Sequence, residues 1–365
     1  MSLAALLADL PDALLRFLPR RGRRGLVALG DPGPDAPVLL TCDYALTVRR
    51  LRRALRGRDA WLLVADAHGI NVWCAAAGGH LGNAQVIQAI EGSSLAERVT
   101  HRRLVAPPLM AAGVERREVE RATGWKIVWG PVRLEDLPTW LDGGSAPRVL
   151  GFTLRDRLDM ALAWGFPLAL VLGGGIGCLL GWAAGIALAT GLFTACLALF
   201  TAIPRTPIVG PARWLTGLWS GALAAGLALG LVASLGATLT FSLAAWLAGL
   251  ALAGMLAVAA DAAGTTPVAN GSFLHLPREG RLALDAACCV GCGECAQVCP
   301  RGVLAVEGPQ ARIAASEACI ACAACAMQCP EGALSFALHA GGSLDAAALR
   351  ATRTTLMGRR VPHGR

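Results

Sequence analysis

Short apolar, β-rich runs alternate with amphipathic segments over the first 150 residues. The apolar runs predict strands at residues 25–30, 36–41, 60–65, 101–106 and 125–129. The segments between them predict helices at residues 46–55, 83–91, 114–122 and 134–141. Alternation of strand and helix is typical of a mostly parallel sheet with helices on both faces. Residues 25–150 are therefore predicted to form an α/β, Rossmann-like domain.

Two long stretches without a charged residue follow this domain. They run from residue 160 to residue 204 and from residue 214 to residue 260. Each is about twice the length needed to cross a bilayer core, so each predicts a helical hairpin. We expect a transmembrane domain at residues 158–262 with four helices, at residues 160–180, 183–203, 214–234 and 237–260.

Arginines flank the predicted spans on one side of the bilayer. Arg148, Arg155 and Arg157 precede the first span, and Arg205 and Arg213 lie between the second and third. Because basic loops stay in the cytoplasm, the domains before and after the four spans are both expected there. The sequence therefore predicts a multi-pass protein of the cell (inner) membrane, with the lipid bilayer as a partner.

Composition supports this interpretation. The chain has 365 residues, of which 55% are hydrophobic, and its mean hydropathy is +0.53, too apolar for a wholly soluble protein. The net charge of +8 comes largely from arginines in residues 20–24 and 49–58. We interpret these arginines as facing anionic lipid headgroups and expect no nucleic-acid partner. Residues 1–24 predict an amphipathic interfacial segment, because Asp9 and Asp12 interrupt their apolar run.

Eight of the thirteen cysteines form two identical runs near the C-terminus. Each run reads C-x2-C-x2-C-x3-C-P, the pattern of bacterial ferredoxins that hold two [4Fe–4S] clusters. The runs are Cys289, Cys292, Cys295, Cys299-Pro300 and Cys319, Cys322, Cys325, Cys329-Pro330. They predict an α+β, two-cluster ferredoxin domain at residues 275–340, followed by a polar tail at residues 341–365.

The spacing also predicts how the cysteines are shared between the clusters. Three thiolates at three-residue intervals can hold three corners of one cluster, and the fourth cysteine of each run ligates the other cluster. The first cluster is assigned Cys289, Cys292, Cys295 and Cys329, and the second Cys319, Cys322, Cys325 and Cys299. A zinc site or a disulfide framework is the alternative, which four evenly spaced cysteines closed by proline disfavour.

A further cysteine lies where an α/β sheet binds ligands, beyond the carboxyl ends of its strands. The segments 41–44 and 68–79 fall at this edge. In the second, Asn71 predicts a helix N-cap and Gly78-Gly79 predicts the helix end, which places Cys74 in the first turn. A thiolate there is favoured by the helix dipole and suits a nucleophile or a metal ligand. The alternative is a small buried cysteine that only fills space.

Residues 71–76, N-V-W-C-A-A, resemble the cap-helix motif of the mercury-methylation corrinoid protein family. The wider match runs from Gly25 to Gly144 and includes DAWLLVADAHGINVWCAA and WKIVWGPVRLEDLP. A membrane segment followed by a two-cluster ferredoxin resembles the two proteins of that family fused head to tail.

This resemblance implies cobalamin as a second cofactor beside the iron–sulfur clusters. It implies a corrinoid-binding site formed by Asn71, Val72, Trp73, Cys74, Ala75 and Thr41. In that family the thiolate matching Cys74 is the lower cobalt ligand, and so Cys74 is the implied catalytic residue. The implied activity is a corrinoid-dependent methyltransferase that passes a methyl group from methylcobalamin to a metal acceptor such as Hg(II). The fused ferredoxin would return cobalt to Co(I), which requires a low-potential electron donor and a methyl donor such as methyltetrahydrofolate or its methyltransferase.

Two alternatives to a mercury acceptor follow from departures in the sequence. No cysteine follows Cys329, although the family's ferredoxin carries extra cysteines there, and Cys288 is the spare thiol of the domain. A corrinoid methyltransferase with a non-mercury acceptor is therefore one alternative. Ala77-Gly78-Gly79 stands where the family has Gly-Lys-Gly, so a membrane-bound iron–sulfur electron-transfer protein without corrinoid is the other.

Overall fold

The structure is a computed structural model that describes residues 9, 11–12, 14, 18–151, 153–202, 280–354 and 360–362. The chain divides into two units, one made of residues 19–151 with 264–365 and the other of residues 1–18 with 152–263. The predicted spans at 214–234 and 237–260 lie outside the described residues, as does most of the first 17 residues.

A five-stranded sheet forms the N-terminal part of the first unit. Its strands are β1 (Gly25–Leu29), β2 (Val38–Cys42), β3 (Ala60–Ala65), β4 (Arg103–Ala106) and β5 (Lys126–Trp129). The strand order is β1-β3-β2-β4-β5, and every neighbouring pair is parallel except β1 with β3. The predicted mostly parallel sheet is present, with one antiparallel strand at its edge.

Helices cover both faces of this sheet. They are α1 (Ala45–Ala54), α2 (Val72–Ala77), α3 (Asn83–Glu91), α4 (Arg116–Thr123) and α5 (Leu137–Leu141). Side chains alternate between the faces along β2, because successive residues of a strand point to opposite sides. Leu39 packs in the apolar cluster that contains α1 and α5, whereas Leu40 packs in the cluster that contains α2, α3 and α4.

A 3₁₀ turn, Pro108–Ala112, connects β4 to the segment before α4. Its residues Pro108, Met110, Ala111 and Ala112 are buried. Since it follows the carboxyl end of β4, and α2 follows the carboxyl end of β3, the turn and α2 lie at the same edge of the sheet. The sequence did not predict this turn as an element.

The second unit contains two long helices, α6 (Leu154–Leu180) and α7 (Trp182–Ala202). They pack closely at small residues, since a Cβ on Gly173 would lie 2.7 Å from Ala189 Cβ and 2.8 Å from Gly185 O. Both predicted helices of the first hairpin are present. Among the described residues, one helix, Leu154–Leu179, has the length and apolar composition to cross a bilayer, and Trp182–Thr194 is a shorter apolar helix.

The C-terminal part of the first unit is built from short strands and helices. The strands are β6 (Gly280–Leu284), β7 (Leu304–Glu307), β8 (Gln310–Ile313), β9 (Leu334–Leu338), β10 (Ser343–Leu344), β11 (Thr352–Thr354) and β12 (Arg360–Pro362). The helices are α8 (Glu294–Val298), α9 (Ala324–Gln328) and α10 (Ala346–Ala351). The strands pair antiparallel as β10-β9-β6, β7-β8 and β11-β12. Leu344 and Leu349, from the segment predicted as a polar tail, pack in the core of this part.

Candidate functional site

Cys74 lies in the first turn of α2, as its sequence context predicted. The side-chain oxygen Oδ1 of Asn71 caps the helix by accepting a hydrogen bond of 2.9 Å from the Cys74 amide. The helix ends at Ala77, with Gly78 as the C-cap. Val72, Trp73, Cys74 and Ala75 are all buried, and the Cys74 thiol lies in the apolar cluster between the sheet and α2. The two local caps therefore hold one thiol at the carboxyl edge of the sheet.

Asp43 shapes the loop that leads into α2. Its Oδ1 accepts hydrogen bonds of 2.9 Å from the backbone N–H groups of Ala67 and Gly69. The residue is fully buried, and its Oδ2 has no hydrogen-bond partner among the residues that the structure describes. A buried acceptor without a partner is costly, so this oxygen is a candidate to meet a group bound at the edge of the sheet. The sequence signal was a carboxylate directly after an apolar strand, which we did not assign.

Thr41 and Cys42 end β2 on opposite faces of the sheet. Thr41 pairs in register with Val64, which packs on the α1 side, and Cys42 pairs with Ala65, which packs on the α2 side. The structure therefore does not bring Thr41 and Cys74 to the same face. The Cys42 thiol donates to Ile70 O at 3.2 Å, and burial raises the pKa of this thiol to about 12. Cys42 is a protonated structural thiol.

The 3₁₀ turn packs against α2 with very little space between the backbones. A Cβ on Gly113, directly after the turn, would lie 2.3 Å from Leu81 O and 2.7 Å from Ala76 O. Side chains never approach backbone oxygens this closely, so only glycine fits here. The backbone after the turn is therefore in direct contact with the C-terminal end of α2.

Two histidines flank α2 in the sequence and meet in space. The rings of His68 and His80 make an edge-to-face contact with centroids 5.8 Å apart. Burial lowers the pKa of His80, and the nearby charge of His68 lowers it further. His68 also adopts a positive φ of 58°, which is uncommon for a residue with a side chain. The loop before α2 is thus held in a specific conformation.

The eight cysteines of the two runs surround two separate cavities. Cys289, Cys292, Cys295 and Cys329 line the first cavity. Cys299, Cys319, Cys322 and Cys325 line the second cavity. The structure therefore groups the cysteines as the spacing did, with the fourth cysteine of each run crossing to the other set.

The donors around these cavities fit iron–sulfur clusters. Within the described ranges, no three His, Cys, Asp or Glu side chains converge as they would around a single metal ion. The thiols instead leave a space between them. Backbone N–H groups point at their sulfurs: Ala311 N to Cys289 Sγ at 3.3 Å, Val303 N to Cys299 Sγ at 3.4 Å and Ala321 N to Cys319 Sγ at 3.4 Å. Such hydrogen bonds stabilise the negative charge of cluster sulfurs.

Burial opposes the thiolate form of several of these cysteines. It raises the pKa of Cys322 to about 12 and that of Cys295 to about 11, and it raises the pKa of Cys325 as well. Bound iron supplies the positive charge that a buried thiolate requires, so these thiols lose their protons when metal binds.

Cys288 differs from its neighbours. It is exposed, and its thiol donates to Asp285 Oδ2 at 3.4 Å. This hydrogen bond and the negative charge of Asp285 raise the pKa of Cys288. The thiolate, which is the form that binds metals, is therefore disfavoured at this position.

Comparisons with known proteins match the two parts of the first unit separately. Residues 17–141 match the family described as the CO dehydrogenase/acetyl-CoA synthase delta subunit. Residues 281–330 match the family described as a 4Fe-4S dicluster domain.

Several curated relatives are gamma subunits of the acetyl-CoA decarbonylase/synthase complex. The protein from Archaeoglobus fulgidus is 35% identical over 148 residues, which are 38% of this chain and 31% of the relative. The protein from Methanopyrus kandleri is 36% identical over 133 residues, 36% of this chain and 28% of the relative. The chain thus spans less than a third of the length of these relatives. It joins a region similar to such subunits to a 4Fe-4S dicluster domain.

Proposed function

We propose that this chain is a corrinoid-dependent methyl-transfer protein with its own electron-transfer domain. The observation that carries the proposal is the position of the Cys74 thiol. It lies in the first turn of a capped helix at the carboxyl edge of a mostly parallel sheet, in the same unit as two cavities lined by four cysteines each. The relatives support it. Decarbonylation of an acetyl group leaves a methyl group, so a complex named for that reaction handles methyl groups.

The residues at the edge of the sheet would hold the corrinoid. A bound corrinoid supplies a cobalt centre that can carry a methyl group. Cys74 would donate its sulfur to the metal, Asn71 would keep α2 in place, and the free oxygen of Asp43 would accept a hydrogen bond from the bound group. Trp73, buried beside Cys74, would help to exclude water from the sulfur.

The eight cysteines around the two cavities would hold two [4Fe–4S] clusters that supply single electrons. Corrinoid chemistry requires occasional reduction of the metal at low potential, and a cluster domain in the same chain meets that need without diffusion of a separate partner. A low-potential electron donor and a donor of methyl groups would be the external partners.

We propose Hg(II) as the methyl acceptor, on the resemblance of residues 71–76 to the mercury-methylation corrinoid proteins. An acceptor other than mercury is the second candidate. The observation that favours it concerns the thiols: Asp285 raises the pKa of Cys288, and no cysteine lies between Cys329 and Arg365. Residues 330–365 therefore supply no thiol pair for handing over mercury.

We also propose that residues 158–262 anchor the protein in the cell membrane, with both flanking domains in the cytoplasm. The charge-free stretches support this, as does α6, where only 17% of the apolar window is buried within the protein. A core helix of a soluble protein would be mostly buried. Extraction of membranes with alkaline carbonate should leave the full chain in the membrane pellet, and release into the supernatant would contradict the anchor.

Binding of cobalamin to the purified full chain tests the leading proposal. We expect the wild type to take up cobalamin with a base-off spectrum, and Cys74→Ala to change that spectrum. Cys42→Ala is the matched control, because Cys42 is a buried thiol in the same apolar cluster that is engaged with Ile70 O. Absence of cobalamin uptake by the wild type would leave an electron-transfer protein without corrinoid.

A second assay separates the acceptors. Wild-type protein loaded with methylated cobalamin is mixed with Hg(II) and a strong reductant, and methylmercury is measured. Formation of methylmercury by the wild type and by Cys288→Ala, but not by Cys74→Ala, would support the mercury acceptor. Uptake of cobalamin without any methylmercury would exclude mercury and retain the methyl-transfer proposal.

A further inference from the structure

Gln328 joins the two parts of the first unit: the cluster domain, described at residues 280–354 and 360–362, and the N-terminal domain, residues 19–151. It is only 2% exposed, and its amide group is fully engaged with backbone of the other domain. Its Nε2 donates to Ala111 O at 3.2 Å and to Val114 O at 2.8 Å, and its Oε1 accepts from Arg116 N at 3.1 Å. These partners lie in the 3₁₀ turn or directly after it. Because both amide protons and the amide oxygen are used, Gln328 fixes α9 on the turn in one position.

Apolar and charged contacts surround this amide. Val298, Ile320 and Ala324 of the cluster domain are buried in the same apolar cluster as the residues of α2. Glu294, at the start of α8, lies 3.6 Å from the guanidinium groups of both Arg116 and Arg117. The contact is therefore an ordered interface with an apolar centre and a charged edge.

The interface lies on the side of the second cavity. Pro300, Ile320 and Ala324 all line that cavity. Ile320 and Ala324 pack against the N-terminal domain, and Pro300 O accepts a hydrogen bond of 2.8 Å from Leu150 N. The second cavity therefore lies directly beside the 3₁₀ turn, which in turn contacts α2 at Ala76.

The first cavity has a more exposed rim, although α8, which carries its Cys295, also reaches the interface through Glu294. Cys292, one of its four cysteines, is exposed, and Val290 on its rim is 62% exposed. Gly291 and Gly293 flank Cys292, so little side-chain bulk covers this cysteine. No residue that lines the second cavity is exposed, so an external protein could bring a redox group closer to the first cavity than to the second.

We infer that Gln328 holds the cluster domain in one orientation, which we call the lock. In this orientation electrons are received at the first cavity and passed on from the second cavity toward α2. The external donor would be a small one-electron, low-potential protein of the reduced-flavin class, docking over Val290, which is exposed on the rim of the first cavity. Each transfer moves one electron, oxidises the donor by one equivalent and breaks no bond. This inference rests on the proposed function for the group that finally receives the electrons, but the docking itself does not.

Hydrogen exchange in the full chain with both clusters loaded tests the lock. Gln328→Glu removes the two donated hydrogen bonds and places a carboxylate against Ala111 O and Val114 O. We expect the amides of residues 109–114 to exchange about tenfold faster or more, as the loss of buried hydrogen bonds implies. Gln310→Glu is the matched control: Gln310 donates to Ala286 O within the cluster domain, so residues 109–114 should keep their protection. Unchanged exchange in Gln328→Glu would overturn the lock.

Electron transfer tests the direction. In stopped flow, titanium(III) citrate should reduce the clusters of Gln328→Glu at the wild-type rate. Electron transfer from these clusters to bound corrinoid should be slower than in the wild type. Val290→Glu should slow cluster reduction by a reduced flavodoxin but not by titanium(III) citrate. The proposed direction of electron flow would be overturned if corrinoid reduction in Gln328→Glu and cluster reduction by flavodoxin in Val290→Glu both kept their wild-type rates. If the wild type binds no corrinoid, the proposed function fails. The exchange experiment then still tests the Gln328 contact, and Val290→Glu still tests where electrons are received.

Discussion

At the scale of single residues, the candidate site depends on polar side chains that hold the backbone in place. Asn71 accepts from the amide of Cys74, and Asp43 accepts from the amides of Ala67 and Gly69. Each of these side chains fixes a loop whose own backbone has no neighbouring strand to pair with. The position of the Cys74 thiol is therefore set by the residues before it in the chain.

Substitution of Asp43 measures this effect. Asp43→Ala leaves the N–H groups of Ala67 and Gly69 buried without an acceptor, which should reduce the free energy of unfolding by about 1–3 kcal/mol. Asp43→Asn keeps an oxygen acceptor and should cost clearly less. Thermal unfolding of the detergent-solubilised full chain is the measurement. Equal melting temperatures for the Ala and Asn variants would show that the two hydrogen bonds do not hold the loop.

Cys288 gives a second prediction at this scale. Asp285 raises the pKa of the neighbouring thiol through a hydrogen bond and its negative charge. Asp285→Asn removes the charge and so should lower this pKa and increase the thiolate fraction at neutral pH. Iodoacetamide, followed by peptide mass spectrometry, should then label Cys288 faster than in the wild type. Labelling at the wild-type rate would mean that Asp285 does not control the thiol.

At the scale of elements, local signals were sufficient for α2 and insufficient for the sheet. An N-cap at Asn71 and glycines at 78 and 79 are short-range features, so both ends of α2 could be placed from the sequence. The antiparallel direction of β1 could not, because it depends on pairing with β3 across more than thirty residues of chain. The sequence did not predict the 3₁₀ turn, because its five residues are too few to show a repeating pattern of apolar and polar positions.

The histidines at the two ends of α2 make this element sensitive to acid. The pKa of His80 is lower in the folded protein than in the unfolded chain, so the unfolded chain binds more protons below about pH 6.5. The contribution of neutral His80 to the free energy of unfolding is therefore fully present above that pH. It is lost as the pH falls toward the pKa of His80 in the folded protein. Hydrogen exchange of the α2 amides, corrected for intrinsic rates, should show more opening at pH 5.5 than at pH 7.5.

The variant His80→Gln separates this effect from other titrations. All other ionisable groups remain, so the variant should lose less protection between the two pH values than the wild type. His68→Gln should give an intermediate loss, because it removes the smaller of the two causes of the shift. An identical loss in the wild type and His80→Gln would assign the acid sensitivity to other groups.

At the scale of the whole molecule, spacing revealed how the cysteines are shared but not where their domain sits. The crossed grouping around two cavities follows from a short repeat in the chain. The contact of Gln328 with Ala111, Val114 and Arg116 joins residues more than two hundred positions apart, and no local pattern marks such a pair. A buried glutamine beside a cysteine also looks ordinary in a sequence.

The interface predicts that covalent continuity between the two domains is dispensable once they have folded. A protease site introduced at residue 270 would separate them after purification with loaded clusters. We expect the two fragments to elute together in size-exclusion chromatography, because apolar, polar and charged contacts hold them. The two fragments of the Gln328→Glu variant should elute separately after the same cleavage. Separation of the wild-type fragments would show that the linkage, rather than the interface, keeps the domains together.

The position of Gln328 in the chain has a consequence for how the protein matures. The residue lies between Cys325, on the second cavity, and Cys329, on the first, so its place depends on ligands of both. We expect a chain with either cavity unfilled to hold α9 less firmly and to weaken the contact of Gln328 with the 3₁₀ turn. Docking of the cluster domain beside α2 is therefore expected to be strongest when both cavities are filled.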